Sequence, residues 1–124
     1  MTAGHDTRVR RVAEAVREEL ALLLTEDVKD PGAKSAVLTR VEMAKDLRSA
    51  RVYVRLLEGG DDEGRRRILT EALERASGLL RRELTHRLGL RFAPTLRFHY
   101  DQGQDNTDRV EQLLAEIEVD RSKR

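Results

Sequence analysis

The chain is predicted to fold as one α+β domain in which helices cover one face of a small sheet. Apolar residues recur every three to four positions in residues 7–30 and again in residues 65–88, which is the period of an amphipathic helix. Two short runs between these segments, and a third run after Pro94, alternate apolar and polar residues as half-buried strands do. Mixed helices and strands in a chain of 124 residues favour a single α+β sandwich.

The first helix is predicted to begin at Asp6 or Thr7, either of which can cap it. It is expected to end near Asp30, because Pro31 disfavours helical backbone in the preceding residue and Gly32 permits a turn. The apolar residues on its buried face are Val9, Val12, Ala13, Val16, Leu20, Leu23 and Leu24.

Two alternating runs are predicted to pair as an antiparallel hairpin across the polar link formed by residues 45–48. In residues 37–43, the face that carries Val37, Thr39, Val41 and Met43 is expected to be one side of the strand. In residues 50–56, the small and branched side chains are expected to face the core. Alternation along all three strands leaves a solvated face that carries Arg40, Glu42, Arg51, Tyr53, Arg55, Arg97 and His99.

The second helical segment contains Ala76-Ser77-Gly78, a tripeptide that a long helix should avoid. The apolar pattern continues from Leu73 to Leu80, so Gly78 is expected to bend the helix rather than end it. Glycine inside a helix costs about 1 kcal/mol relative to alanine, which indicates a kink or a close backbone approach. We therefore predict a kinked helix pair whose second piece begins with free N–H groups, where an anion such as a nucleic-acid phosphate can dock.

The remaining elements are a third strand in residues 95–100 and a last short helix. Gly89 lies where a left-handed cap residue belongs, so the second helical segment is expected to end there. The third strand should turn Leu96, Phe98 and Tyr100 toward the core, and Thr107 can cap the last helix.

Composition indicates a chain without a membrane span or disulfides. No apolar run reaches membrane length, cysteine is absent, and residues 1–6 lack an apolar signal region, so a cytoplasmic location is expected. We predict a single domain over residues 1–124, with its core in residues 8–101 and an acidic helix with a basic tail in residues 102–124.

Signatures of enzymes are absent from the sequence. The histidines are far apart along the chain, and no cysteine is present to complete a zinc site. No glycine-rich phosphate loop follows a strand, and no nucleophile elbow surrounds a serine. We therefore expect no catalytic residue, no cofactor and no metal site.

The net charge of +1 hides an uneven distribution. Residues 62–100 carry nine arginines against five acids, whereas residues 101–120 carry seven acids against Arg109. Arginine supplies 20 of the 24 basic side chains, and its planar fork binds phosphate, although genome composition explains the same bias equally well. Because only Tyr53 clearly projects a ring from the open face, phosphate contacts rather than base stacking are expected to dominate, with salt-sensitive binding.

The order of these elements, with the internal kink, resembles a type II KH domain. In that fold two helices meet at a glycine-containing loop near the nucleic-acid backbone, usually Gly-x-x-Gly. The Ala76-Ser77-Gly78 corner is a variant that resembles the bacterial ribosome-binding factor A family. Residues 32–36 and the acidic loop before Arg65 depart from that family, whereas the similar stretches cover most of residues 8–115, namely residues 10–20, 28–31, 46–54, 79–84 and 88–98.

The resemblance implies a three-stranded sheet with helices on one face and a non-catalytic protein that binds the immature small (30S) ribosomal subunit. It also implies help with maturation of 16S rRNA, including processing of its 5′ end, and with growth in the cold. We expect a monomer whose partners are the small subunit, its rRNA and other assembly factors. The residues expected to contact the rRNA backbone are Lys45, Arg48, Arg75, Ser77, Gly78, Arg81, Arg82, Arg87 and Arg91.

An alternative from a different class remains open. The chain could be a protein-interaction module whose acidic C-terminal helix docks a basic partner, while the arginines keep the chain soluble. Salt dependence of binding would separate the two interpretations.

Overall fold

A computed structural model describes the backbone of residues 2–103 and the side chains of residues 7–103. The elements in chain order are α1 (Thr2–Glu26), a 3₁₀ turn (Pro31–Ala33), β1 (Ala36–Met43), β2 (Ser49–Leu56), α2 (Glu63–Leu88) and β3 (Thr95–Tyr100). Both helices pack against the same face of one three-stranded sheet, so the predicted α+β class is confirmed. The predicted helix capped by Thr107 and the basic tail lie outside the described residues.

The sheet has the strand order β1-β2-β3 and mixes two kinds of pairing. β1 and β2 pair antiparallel as the predicted hairpin, whereas β3 pairs parallel with β2, from Ser49 opposite Thr95 to Val54 opposite Tyr100. Parallel neighbours need a long crossover connection, and α2 supplies it. The start of β3 therefore lies beside the start of β2, which brings the α2–β3 loop next to the hairpin loop.

A bulge in β1 corrects the predicted face of that strand. The register shifts between Leu38, which lies opposite Val54, and Arg40, which lies opposite Tyr53, so Thr39 is an extra residue. One extra residue reverses which side chains point inward. Leu38 and Val41 pack on the core, and Val37 lies opposite Arg55 on the open face, so grouping Val37 and Thr39 with Val41 was wrong.

α1 begins and ends earlier than predicted. It starts at Thr2, so Asp6 and Thr7 lie within the helix rather than at its cap, and no proline upstream of them prevents helical backbone. It ends at Glu26, and the Asp30 carboxylate instead caps the 3₁₀ turn by accepting a hydrogen bond from the Gly32 N–H at 2.9 Å.

The core lies between the two helices and the inner face of the sheet. Each fully buried leucine or valine stabilises the fold by roughly 1.5–3 kcal/mol relative to an exposed one. The main residues of this core are Val16, Leu20 and Leu23 from α1, Ala50, Val52 and Val54 from β2, Leu69, Leu73, Leu80 and Leu84 from α2, and Leu96 and Phe98 from β3.

α2 is one continuous helix of 26 residues, so the two helical pieces predicted on either side of Ala76-Ser77-Gly78 belong to a single unbroken helix. Helical backbone runs through Ala76, Ser77 and Gly78, so the prediction that the helix does not end at Gly78 is confirmed. The prediction of a second piece with free N–H groups is wrong, because those groups lie inside the helical hydrogen-bond ladder. Leu80 and Leu84 are fully buried, and their packing outweighs the roughly 1 kcal/mol that a helical glycine costs.

The ends of α2 follow from local sequence. The Asp62 carboxylate accepts hydrogen bonds from the N–H groups of Gly64 and Arg65, which fixes the start of the helix at Glu63. At the other end Gly89 has a φ of 61° and donates its N–H to the Thr85 carbonyl. The predicted left-handed cap at Gly89 is therefore confirmed.

We expect Gly78→Ala to raise the free energy of unfolding by about 0.5–1 kcal/mol. Among the described residues, no atom outside the local helix backbone lies within 4 Å of the place where a Cβ would stand, so alanine adds helix propensity without a clash there. Urea unfolding followed by circular dichroism measures the change. The converse substitution at an exposed position of α1, Ala21→Gly, should lower the free energy by a similar amount, and a destabilised Gly78→Ala protein would contradict the continuous helix.

Candidate nucleic-acid interface

Two adjoining grooves lie at the end of the molecule where the hairpin loop meets the α2–β3 loop. The helix groove runs along α2 past Gly78, Arg82 and His86 and reaches Ala93. The loop groove lies between the start of α1, the hairpin loop and Phe92, and it has a volume of about 410 Å³. Because Phe92 and Ala93 are consecutive, the two grooves meet at the α2–β3 loop.

Basic side chains surround both grooves. Arg8, Lys45 and Arg91 line the loop groove, Arg82 lines the helix groove, and Arg48 lies over the ring of Phe92. We call these five side chains the basic end. Within residues 7–103, none of the five forms an ion pair with a carboxylate, so their charge is available to an anion.

The hairpin loop is held in one shape by its own backbone. Leu47 has a φ of 62°, a left-handed conformation that is uncommon for a residue other than glycine. Its N–H donates to the Ala44 carbonyl at 2.9 Å, and the Asp46 carboxylate accepts from the Arg48 N–H at 3.1 Å. The Thr95 N–H donates to the Arg48 carbonyl at 2.9 Å, which ties this loop to the start of β3.

Phe92 is a candidate site residue that sequence reasoning missed. It is 45% exposed, and the guanidinium carbons of Arg48 and Arg91 lie 4.6 Å and 5.4 Å from its ring centre. Attraction between a cation and the face of an aromatic ring favours such contacts. The available signal was an aromatic residue between Arg91 and Pro94, but a ring in a loop was not counted among those on the open face of the sheet.

Arg81 positions the α2–β3 loop. Its Nε donates to the Pro94 carbonyl at 2.9 Å and its Nη2 donates to the Ala93 carbonyl at 3.1 Å. The side chain is half-buried, and it satisfies carbonyls that precede β3. Arg81 therefore fixes the position of the loop that carries Phe92 and Ala93 beside the two grooves.

Arg87 joins α2 to α1 through a cluster of carboxylates. Its guanidinium lies 3.6 Å from Glu19, 3.5 Å from Asp27 and 3.4 Å from Glu83, with 31% of the side chain exposed. Burial lowers the pKa of Arg87, but the nearby carboxylates more than offset that effect and raise it. Arg87 is predicted to contact RNA, but its positive charge is already paired with these carboxylates of the same chain.

Arg75, another predicted RNA ligand, is also paired. It binds Asp30 at 2.9 Å and so connects α2 to the 3₁₀ turn, with 61% of the side chain exposed. The hydrogen bond from the Gly32 N–H and then the Arg75 guanidinium lower the pKa of Asp30. Unlike the side chains of the basic end, Arg75 forms an ion pair with a carboxylate of its own chain, that of Asp30.

Gly78 and Arg82 lie one helical turn apart on the exposed side of α2, with His86 one turn further. Within the part of the chain that the structure describes, the side chain of Arg82 has no hydrogen-bond or ion-pair partner. Packing among the described residues does not account for the glycine, because none of their atoms outside the local helix backbone lies within 4 Å of the place where its Cβ would stand. Ser77, which precedes Gly78 and is also predicted to contact the rRNA backbone, is half-buried.

The open face of the sheet carries the residues that alternation predicted, but its charge is partly neutralised. Glu42 lies 3.5 Å from Arg40 and 4.0 Å from Arg51. The Arg40 guanidinium also lies over the Tyr53 ring at 4.1 Å, and that ring lies 5.6 Å from His99. A polyanion therefore meets more unpaired positive charge at the basic end than on this face.

Two kinds of site are not found among residues 7–103. No cluster of three or more histidine, cysteine, aspartate or glutamate side chains in that range could hold a metal ion. None of the described helices combines the length and the apolar character needed to cross a bilayer.

Comparison with known proteins gives consistent matches. The family model for ribosome-binding factor A matches residues 8–114. Ribosome-binding factor A of Sorangium cellulosum is 49% identical over 115 residues, which cover 93% of this chain and 92% of that relative.

Solved structures match the fold. The crystal structure of ribosome-binding factor A from Thermus thermophilus aligns with a TM-score of 0.55 at 24% identity, over 77% of this chain and 92% of that one. A homology model of the Thermus thermophilus factor, fitted into a cryo-EM map of its complex with the 30S subunit, aligns with a TM-score of 0.50 at 27% identity. The alignment covers 68% of this chain and 90% of that one.

Proposed function

The chain belongs to the ribosome-binding factor A family, and we propose that it binds the immature small ribosomal subunit and assists maturation of 16S rRNA, including processing of its 5′ end. It acts in the cytoplasm as a non-catalytic monomer, and its activity supports growth in the cold. The 30S complex of the Thermus thermophilus factor supports the choice of partner.

The observation that carries the rRNA contact is the unpaired charge of the basic end. Several other arginines are matched inside the molecule, Arg75 by Asp30 and Arg87 by three carboxylates. The basic end keeps its positive charge without carboxylate partners at the two grooves, and this charge attracts the phosphates of a polyanion. Four of the five side chains of the basic end, Arg82, Arg91, Lys45 and Arg48, therefore carry the proposed contact, with Arg81 placing the loop between them.

Exposed Gly78 supports the same surface. A mid-helix glycine costs stability, and no described residue fills the space beside it. A backbone without a Cβ lets a phosphate group come close to α2 beside Arg82. In this proposal side chains and the bare helix surface hold the phosphate, and no helix N-terminus takes part.

Salt titration of binding to small subunits tests this proposal. If four basic side chains each neutralise one phosphate, the logarithm of the binding constant should fall with the logarithm of salt concentration with a slope of roughly −3. Naked 16S rRNA should compete for the protein. A binding constant that does not change with salt concentration, together with no competition by the rRNA, would contradict the proposal and favour the protein-interaction module.

A further inference from the structure

We propose that the loop groove binds one unstacked nucleobase of single-stranded RNA, with Phe92 as its stacking surface. This inference rests on the proposed rRNA contact and names the part of the RNA that this site takes. Unstacked bases in loops and ends of RNA are recognised by aromatic side chains and arginine planes. The site therefore adds an aromatic contact to an interface that otherwise rests on phosphates.

The floor of the groove is apolar and formed by three separate elements. Val9 and Val12 come from α1, Leu47 from the hairpin loop and Leu90 from the α2–β3 loop, and all four are half-buried. The groove has a volume of about 410 Å³, which lies in the range of small-molecule binding sites. The flat face of a base buries apolar area there while its polar edge stays near the rim.

The exposed ring of Phe92 supplies the aromatic surface. Solvent reaches 45% of the residue although it packs beside Arg48 and Arg91. Stacking of a base on an aromatic side chain is favourable and tolerant of sequence, because every base has a π face. The two guanidinium groups add planar surfaces on which a base can also stack.

The charge of the rim selects a polyanion rather than an apolar peptide. Arg8, Lys45 and Arg91 are exposed around the opening. Asp46 is the one carboxylate that lines the groove among the described residues, and it accepts a hydrogen bond from the Arg48 N–H. The phosphates on either side of a bound base therefore meet positive charge.

Phe92→Ala should weaken binding to a fluorescent oligouridylate of roughly ten nucleotides by about tenfold in fluorescence anisotropy. Phe92→Tyr keeps the ring and should bind nearly as the unchanged protein does. Leu57→Ala is the matched control, because Leu57 is 67% exposed and follows the opposite end of β2. Thermal unfolding should show that all three variants fold.

A strand with the same phosphates but no bases separates stacking from charge. Binding to this abasic strand should be equal for the unchanged protein and for Phe92→Ala. Equal losses of oligouridylate binding in Phe92→Ala and Leu57→Ala would overturn the nucleobase site. A loss in Phe92→Ala that appears only with small subunits would also overturn it and would assign the groove to a ribosomal protein.

The experiments distinguish failure of the nucleobase site from failure of the proposed function. Failure of the unchanged protein to bind small subunits would refute the proposed function. If the unchanged protein binds small subunits but Phe92→Ala behaves as the control with oligouridylate, the proposed function stands and only the nucleobase site fails.

Discussion

Replacing Arg82 and Arg91 together by glutamate is expected to weaken binding to small ribosomal subunits by about 100-fold. A hydrogen bond to a charged group contributes about 1.5–3 kcal/mol, and each 1.4 kcal/mol is tenfold in affinity. Both side chains are exposed and form no ion pair among residues 7–103, so the substitutions leave no carboxylate in that range without its cation. Sedimentation of labelled protein with purified subunits measures the loss.

The control is Arg67→Glu combined with Arg97→Glu, which makes the same change in net charge. Arg67 lies in the first turns of α2 and Arg97 on the open face of the sheet, and both are exposed. Long-range attraction changes equally in the two double variants, so the comparison isolates the location of the charge. Equal losses in both would show that net charge, and not the basic end, governs binding.

Arg81 is unsuitable for this test although it neighbours Arg82. It donates to the carbonyls of Pro94 and Ala93, so glutamate at this position would displace the α2–β3 loop. A loss of binding in an Arg81 variant would not distinguish a lost phosphate contact from a misplaced loop.

Leu80→Ala is expected to lower the free energy of unfolding by about 2–5 kcal/mol. Leu80 is fully buried within the core between α2 and the sheet, so truncation leaves a cavity there. Only Arg81 separates Leu80 from Arg82 along α2, yet Arg82→Glu should leave stability nearly unchanged. Urea unfolding of the two single variants measures this contrast between the buried and exposed sides of one helix.

Leu22→Ala provides the control for Leu80→Ala. Leu22 is 49% exposed on α1, and its truncation should change stability by no more than about 0.5 kcal/mol. If Leu80→Ala cost no more than Leu22→Ala, the burial of α2 against the sheet would be wrong.

Elements whose signals are local could be predicted from sequence. The third strand was predicted over the residues that β3 occupies, and the left-handed φ of Gly89 followed from its place after the last periodic leucine. The bulge at Thr39 could not be predicted in this way, because Val37, Thr39, Val41 and Met43 follow one unbroken alternating phase. Pairing with β2 selects the phase, and pairing depends on residues distant in sequence.

The continuous helix shows where propensity gives the wrong result. Glycine costs about 1 kcal/mol, which one interrupted turn would avoid. The burial of Leu73 and Leu80 on either side of Gly78 is worth several times that amount, so packing keeps the helix intact. The glycine then leaves a stretch of exposed helix surface without a side chain.

The candidate site could be predicted in outline but not residue by residue. An arginine-rich α2 was evident from sequence, but apart from Glu83 on α2 itself, the partners that occupy Arg75, Arg81 and Arg87 come from other parts of the fold. Local sequence shows only the Glu83–Arg87 spacing, so it does not distinguish the other paired arginines from unpaired ones. Phe92 was missed for a related reason, because its exposure depends on the loop that Arg81 holds.

Site-specific photo-cross-linking to small subunits most directly tests whether the basic end faces rRNA. A photoreactive side chain placed at Arg82 should cross-link to 16S rRNA, and one placed at Arg67 on the same helix should not. Cross-links to rRNA from Arg67 alone, or from Arg82 to ribosomal proteins alone, would contradict the assignment of the basic end as the RNA-facing surface.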